Sequence, residues 1–209
     1  MSDVSLFARA AEKLRSLVIR LVCVQRVFFF EGRAASSLPL QTQFGEVRLF
    51  VVGPEELEYW QPQVVDVLCV SPPAIAERLG KGSALLLATH GERLVAMLWM
   101  TFRAHAVSEV GVTLQPCNGE FITYHAYTLP EYRRHGISTG LNRLAWSYAQ
   151  SLGAVRQLAW RRSNNRAALR VAEKLGQRCI ATATAVWILG YRVYFALESV
   201  SDSVLDLLG

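Results

Sequence analysis

The run Leu129-Pro130-Glu131-Tyr132-Arg133-Arg134-His135-Gly136-Ile137-Ser138-Thr139-Gly140-Leu141 carries the residue types of an anion site. A helix starting near Ile137 or Ser138 places Leu141, Leu144, Ala145, Tyr148 and Leu152 on one face. The β-prone run Phe121–Thr128 precedes it. Strand, short basic turn and helix together set successive N–H groups at a helix start, where unpaired donors and the dipole favour an anion. Gly136 lets the backbone approach that anion closely, and Arg133, Arg134 and His135 surround it with positive charge. A pyrophosphate fits this chemistry. A second turn, Arg161-Arg162-Ser163-Asn164-Asn165, follows a strand expected over Val155–Trp160. It leads into a short helix with Ala168, Val171, Ala172 and Leu175 on one face. Ser163 to Asn165 can cap its start, and Gly176 can end it.

Both turns lie within Glu131–Arg178, which holds ten basic and two acidic residues, a balance of +8. The whole chain carries +5, so the remainder is at −3. No aromatic-interleaved basic stretch or recognition-helix pattern accompanies the charge, so no nucleic acid is expected as partner. The positive segment suits one small polyanion. Hydrophobic residues at 52% and charged residues at 19% exclude a disordered chain, and 209 residues suffice for one well-buried domain. Cys23, Cys69, Cys117 and Cys179 show no metal-ligand spacing, so reduced cysteines, no metal and a cytoplasmic location are expected. The first residues lack the pattern of a secretory leader. Leu17–Phe30 is interrupted by Arg20, Gln25 and Arg26, so no transmembrane span is expected.

The elements that must position these turns alternate between strand and helix signals. Phe7, Ala10, Ala11, Leu14, Leu17, Val18 and Leu21 recur at helical spacing, with Arg9, Lys13 and Arg20 opposite. This amphipathic helix either packs on protein or makes peripheral contact with an anionic membrane surface. A strand over Val27–Phe30 and a polar connection over Arg33–Phe44 follow. Residues 1–44 therefore read as an extension, and 45–209 as the domain. In the domain, Glu46–Val52 is a strand, Pro54 opens a helix toward Val70, and Pro73–Leu79 forms another. Ala84–Thr89 and Leu94–Phe102 read as a hairpin, Arg103–Gly119 as a loop, and Val186–Phe195 as the final strand.

The segment Tyr132-Arg133-Arg134-His135-Gly136-Ile137-Ser138 resembles the acyl-CoA-binding motif of the GNAT superfamily of N-acetyltransferases. Asn165-Arg166-Ala167-Ala168-Leu169-Arg170-Val171-Ala172-Glu173-Lys174-Leu175-Gly176 is similar to the family's downstream pattern. The resemblance implies an α/β (α+β) fold with a mixed, mostly antiparallel central sheet and helices on both faces. The N-terminal helix and strand are added to it. It implies acetyl-CoA, or another acyl-CoA, and direct transfer of the acyl group to an amine of a small-molecule or sugar acceptor. Backbone groups of Ala126, Tyr127, Thr128 and Leu129 would pair with pantetheine, an N–H near Ala126 polarising the thioester carbonyl. N–H groups from Arg134 through His135, Gly136, Ile137 and Ser138 to Thr139 would hold the pyrophosphate, beside Arg133. Asn165 would bond near pantetheine or brace its loop.

Two positions depart from the pattern. Ser138 stands where the motif has Gly or Ala. Ala172 stands where many members carry a Tyr that protonates the departing thiolate, so either Tyr191 or Tyr194 substitutes for it or the thiolate leaves unaided. A base is needed for the acceptor amine. Glu120 is the first candidate, then His125, then Glu109; Glu120 and Tyr124 share strand parity, and His125 joins them only if a bulge resets the alternation. Trp99, Phe102 and Tyr124 could line the acceptor pocket. The absent Tyr also supports an alternative, a catalytically silent acyl-CoA-binding or regulatory protein. The loops Pro54–Leu79, Arg103–Gly119 and Ala181–Tyr191 would choose the acceptor, and they hold no acidic run suited to a polycation. The apolar last strand suits either a homodimer edge or a pocket wall.

Overall fold

In the computed structural model, residues 22–33, 46–68 and 70–199 are described. The apolar runs near residues 85 and 95 become the innermost strands, because a strand buried on both faces needs no alternation. They are β3 (Ala84–His90) and β4 (Arg93–Thr101), and Leu85, Leu86, Leu87, Val95, Ala96 and Met97 are fully buried. The other strands are β1 (Val22–Arg33), β2 (Val47–Val51), β5 (His105–Val107), β6 (Val112–Leu114), β7 (Glu120–Thr128), β8 (Arg156–Arg162), β9 (Arg178–Ile188) and β10 (Tyr191–Ser199). Eight of them form one sheet, in the order β10-β9-β1-β8-β7-β4-β3-β2. Only β7 and β8 run parallel. The helices are α1 (Pro54–Leu68), α2 (Pro72–Gly80), α3 (Ile137–Ser151) and α4 (Arg166–Lys174).

Each face of the sheet has its own core. Trp60 and Val64 of α1 and Ile75 of α2 pack with Leu85, Met97, Trp99 and Tyr124. Ile137, Leu141, Ala145 and Ala149, the apolar face of α3, pack with Leu86, Leu98, Met100 and Phe121 on the other side. The mixed, mostly antiparallel sheet with helices on both faces is thus the expected fold. No helix among the described residues is long and apolar enough to cross a membrane.

Three expectations are corrected. The strand expected over Val27–Phe30 spans Val22–Arg33 and lies inside the sheet, paired with β8 on one side and β9 on the other. β1, which falls within the expected extension 1–44, thus contributes an interior strand to the sheet. The final strand expected over Val186–Phe195 is two strands, folded back at Leu189 and Gly190, both with positive φ (52° and 84°). Such a pair of left-handed residues makes the tight hairpin turn that matches strand twist. Most of the loop expected over Ala181–Tyr191 is consequently β9. The loop expected over Arg103–Gly119 contains the small β5–β6 hairpin. The helix expected over Phe7–Leu21 lies outside the described residues, as does the connection beyond Arg33.

Polar contacts link neighbouring strands near the end of β1. Glu31 pairs with Arg156 at 2.7 Å and with Arg178, and Arg156 also pairs with Glu120 at 2.6 Å. Burial pushes Glu31 up, but the hydrogen bonds and charges of Arg178 and Arg156 outweigh it and hold the carboxyl below its ordinary range. Arg156, Arg178 and Arg162, which pairs with Glu109, thus spend part of the expected basic surplus on the protein's own carboxylates.

Candidate active site

β7 and β8 pair only from Glu120 opposite Arg156 to Thr123 opposite Ala159. Both strands continue beyond that point, to Thr128 and Arg162, without further pairing. The cause lies in β7. On its β4 side, Tyr127 faces Met97 and Tyr124 faces Trp99, so His125 and Ala126 together oppose the single residue Leu98. His125 takes φ of 49°, a left-handed backbone uncommon for a residue with a side chain. This is the bulge on which the placement of His125 depended; it bends the strand and exposes His125 and Ala126.

A cavity of about 470 Å³ occupies the parting. Ala126, Ser138, Asn142 and Asn165 reach it, along with Ala168 and Val171 of α4. Its other walls include Arg78, His105, Tyr124, His125, Trp160 and Arg161. The parting thus brings together the expected Ala126, Ser138, Asn165, Tyr124 and His125.

The start of α3 adjoins this cavity through Ser138. Its cap position is Gly136, left-handed at φ of 79°, with no side chain capping the helix and no acidic residue in the first turn. The helix ladder begins with Gly140 N donating to Gly136 O at 2.8 Å. The N–H groups of Ile137, Ser138 and Thr139 precede that first bond and point out of the helix end, an arrangement that suits an anion. Arg134 is also left-handed at φ of 70° and is exposed, while Arg133 donates from Nε to Thr128 O at 3.0 Å. Leu129 is less available than expected: its N–H donates to Val95 O and its carbonyl accepts from Tyr132 N, both at 2.9 Å. Asn165 caps α4, its Oδ1 accepting from Ala168 N at 3.1 Å. The donors at the α3 start and the unpaired strand parting fit a phosphate-bearing, extended ligand such as acyl-CoA.

Glu120, the first candidate base, is not brought to the cavity. It stands at the opposite end of β7, buried, bonded to Arg156 Nη1 at 2.6 Å and accepting from Cys117 N at 2.9 Å. Five residue steps along the strand separate it from His125, roughly 16 Å at about 3.3 Å per step. Glu109 does line the cavity, paired with Arg162 at 3.1 Å. Tyr191 and Tyr194 are exposed on the edge strand β10 and line no part of the cavity. Trp99 is fully buried behind Tyr124, and Phe102 packs on Phe121 in the core of the α3 face, so neither lines the cavity.

The sequence pattern did not single out Arg78, His105 and Trp160. The Trp160 and Tyr124 rings lie nearly parallel, 8° apart at 6.4 Å, and the His105 ring is 3.9 Å from that of Tyr124. Desolvation, then the positive charge of Arg78, holds both His105 and His125 below the ordinary imidazole range, so both are neutral at pH 7. Burial raises Tyr124, whose hydroxyl donates to Ser83 Oγ at 2.9 Å. Desolvation pushes Arg161 down to about 10, and it still carries its proton at neutral pH. No local pattern marks Arg78 or His105, because they come from α2 and β5, far in sequence from β7.

Comparison with solved structures finds the same architecture. A GCN5-related N-acetyltransferase from Sphaerobacter thermophilus superposes with a TM-score of 0.57 at 11% identity, over 84% of this chain and 55% of that one. A protein of the GNAT family from Novosphingobium aromaticivorans superposes with a TM-score of 0.52 at 17% identity, over 86% of this chain and 66% of that one. The chain thus spans less than two thirds of either relative. No curated protein matches its sequence. The family model for the acetyltransferase (GNAT) family matches residues 49–177, more than half of the chain and inclusive of both turns and the parted strands. The chain belongs to the GNAT acetyltransferase family.

Proposed function

We propose that the protein is an acyl-CoA-dependent N-acyltransferase that uses acetyl-CoA and transfers the acyl group directly to the amine of a small-molecule acceptor. The observation that carries this reading is the parting of β7 and β8 after Thr123 and Ala159, opening a cavity beside the uncapped start of α3. Acyl-CoA supplies an activated thioester to this cleft. The N–H groups of Ile137, Ser138 and Thr139 hold its pyrophosphate, and Gly136 leaves room for close approach. Backbone groups of Ala126, Tyr127 and Thr128, which pair with no residue of β8, orient the pantetheine arm, the Thr128 carbonyl already accepting from Arg133 Nε. On this reading the N–H of Ala126, at the bulge, polarises the thioester carbonyl.

The acceptor amine must lose a proton as it attacks, and the neutral imidazole of His125, beside Ala126 on the same bulge, takes it. His105 stands on the acceptor wall and is the second group able to do so. Ala172 is fully buried and offers no proton, and the Tyr124 hydroxyl is directed to Ser83. The chemistry tolerates this, because a thiol ionises near pH 8.5 and the thiolate is a competent leaving group without an acid. Acceptor-dependent release of free CoA from acetyl-CoA, followed across a library of amines, tests the reading. Release that His125→Ala abolishes while acetyl-CoA still binds is the expected result. Binding with no acceptor-dependent release across the library would instead favour a silent acyl-CoA-binding protein.

A further inference from the structure

The cavity has three guanidinium groups, Arg78, Arg161 and Arg162, against one carboxylate, Glu109. Glu109 is committed to Arg162. Arg161 bonds to Trp160 O at 2.9 Å and to Gln177 Oε1 at 3.1 Å, neutral partners that satisfy its donors without cancelling its charge. Arg78 is different. It projects from α2, on the face of the sheet opposite α3, and its guanidinium carbon lies 5.1 Å from the Trp99 ring centre and 5.7 Å from that of Tyr124. Aromatic faces attract a cation but accept none of its in-plane N–H groups strongly. Its Nη1 is buried without a hydrogen-bond partner, and among the described residues no carboxylate pairs with Arg78. The adjacent Glu77 is taken by Lys81.

A guanidinium that lines a cavity with no carboxylate paired to it leaves its charge uncompensated there, and a ligand anion is the group that would compensate it. Phosphates bound at the start of α3 would sit toward the opposite face of the sheet from α2, so Arg78 is better placed for a group on the acceptor side. Resting on the reading of the cleft as an acyltransferase site, we infer that the acceptor is an amine that also carries an oxyanion, a carboxylate or a phosphate, received by Arg78. The flat wall of Tyr124, Trp160 and His105 supports the body of the acceptor between that anion and the thioester. An uncompensated positive charge in the cavity also selects against polycationic acceptors, whose ammonium groups it repels.

Matched acceptors test this on the full chain with acetyl-CoA. Amino acids are compared with their amides, and amino-sugar phosphates with the free amino sugars, by acceptor-dependent CoA release. The inference predicts that at least one anionic series is used with a kcat/KM roughly ten- to a hundredfold above its neutral counterpart. The series that shows this identifies the carboxylate or the phosphate as the group received. Arg78→Met should collapse that ratio toward one, and Arg78→Lys should restore part of it, with acetyl-CoA affinity unchanged in both. Equal use of neutral and anionic acceptors, preference for polyamines, or an undiminished ratio in folded Arg78→Met would each overturn the inference. So would acetyl-CoA binding with no acceptor of either anionic series used. Failure of the wild-type protein to bind acetyl-CoA at all would instead strike at the acyltransferase reading beneath it.

Discussion

Replacing Glu120 with Gln separates two roles that its sequence position left open. If the carboxylate were the base, loss of its charge would cost catalysis and little stability. The structure places it instead about 16 Å of strand away from His125, where direct proton transfer, which requires roughly 3 Å, is out of reach. Its side chain is 8% exposed and bonds to Arg156 at 2.6 Å and to Cys117 N at 2.9 Å. Breaking a buried ion pair costs about 3–5 kcal/mol when the partner is stranded. Here Arg156 keeps Glu31 at 2.7 Å, and Gln can still accept from Cys117 N. What remains is the loss of one charge-assisted hydrogen bond, about 1.5–3 kcal/mol. Urea unfolding of Glu120→Gln at pH 7 should therefore show a lower midpoint at unchanged m-value, equivalent to that loss. The kcat of the folded variant should stay within about twofold of wild type, because a shift of 0.4 kcal/mol or less in the barrier is about that factor. A hundredfold fall in kcat with wild-type stability would refute the placement and return Glu120 to the reaction.

Three other outcomes follow from the geometry. The kcat/KM profile should fall on the acid side with a midpoint below about 6.5, the ordinary imidazole value, since the active His125 is neutral and its pKa is depressed; Arg78→Met removes a nearby positive charge and should move that midpoint up, and a wild-type midpoint at or above the ordinary value would contradict the assignment. Stability should drop as pH falls through the depressed range of Glu31, because the unfolded chain takes up that proton first; in Glu31→Gln this part of the pH dependence should vanish, and an unaltered acid limb in urea titrations would argue against it. Deleting residues 1–33 removes an interior strand and leaves β8 and β9 with unpaired edges, so the truncated chain should show no cooperative thermal transition; a soluble product with wild-type cooperativity would mean that β1 is dispensable.

Local signals made much of this architecture readable. The turn Arg133–Gly136 between an apolar strand and a helix with one apolar face is visible in the residues themselves, and Asn165 caps the helix it was expected to cap. The bulge at His125 could be named only as a condition, because it arises from a two-against-one register with Leu98, 27 residues earlier. The same holds for β1: its run Val27–Phe30 reads as a strand, but nothing local says that its partners are Arg161 and Thr182. Glu120 looked available because its partner Arg156 is 36 residues away. The turn at Leu189 and Gly190 was hidden for another reason, since Leu is a rare occupant of a left-handed turn position and Gly190 alone reads as a kink. Arg78 and His105 carry meaning only once α2 and β5 are folded against β7.

Titration of acetyl-CoA into the full chain, beside the Gly136→Asp variant, decides whether the α3 start holds the pyrophosphate. Asp tolerates a left-handed backbone better than most residues, at a cost of about 1–2 kcal/mol, so the fold should survive while a carboxylate occupies the mouth of the α3 start. Saturable one-site binding by the wild-type protein and none by folded Gly136→Asp is the expected result. No binding to wild type at millimolar acetyl-CoA, or equal affinity in the two proteins, would contradict it.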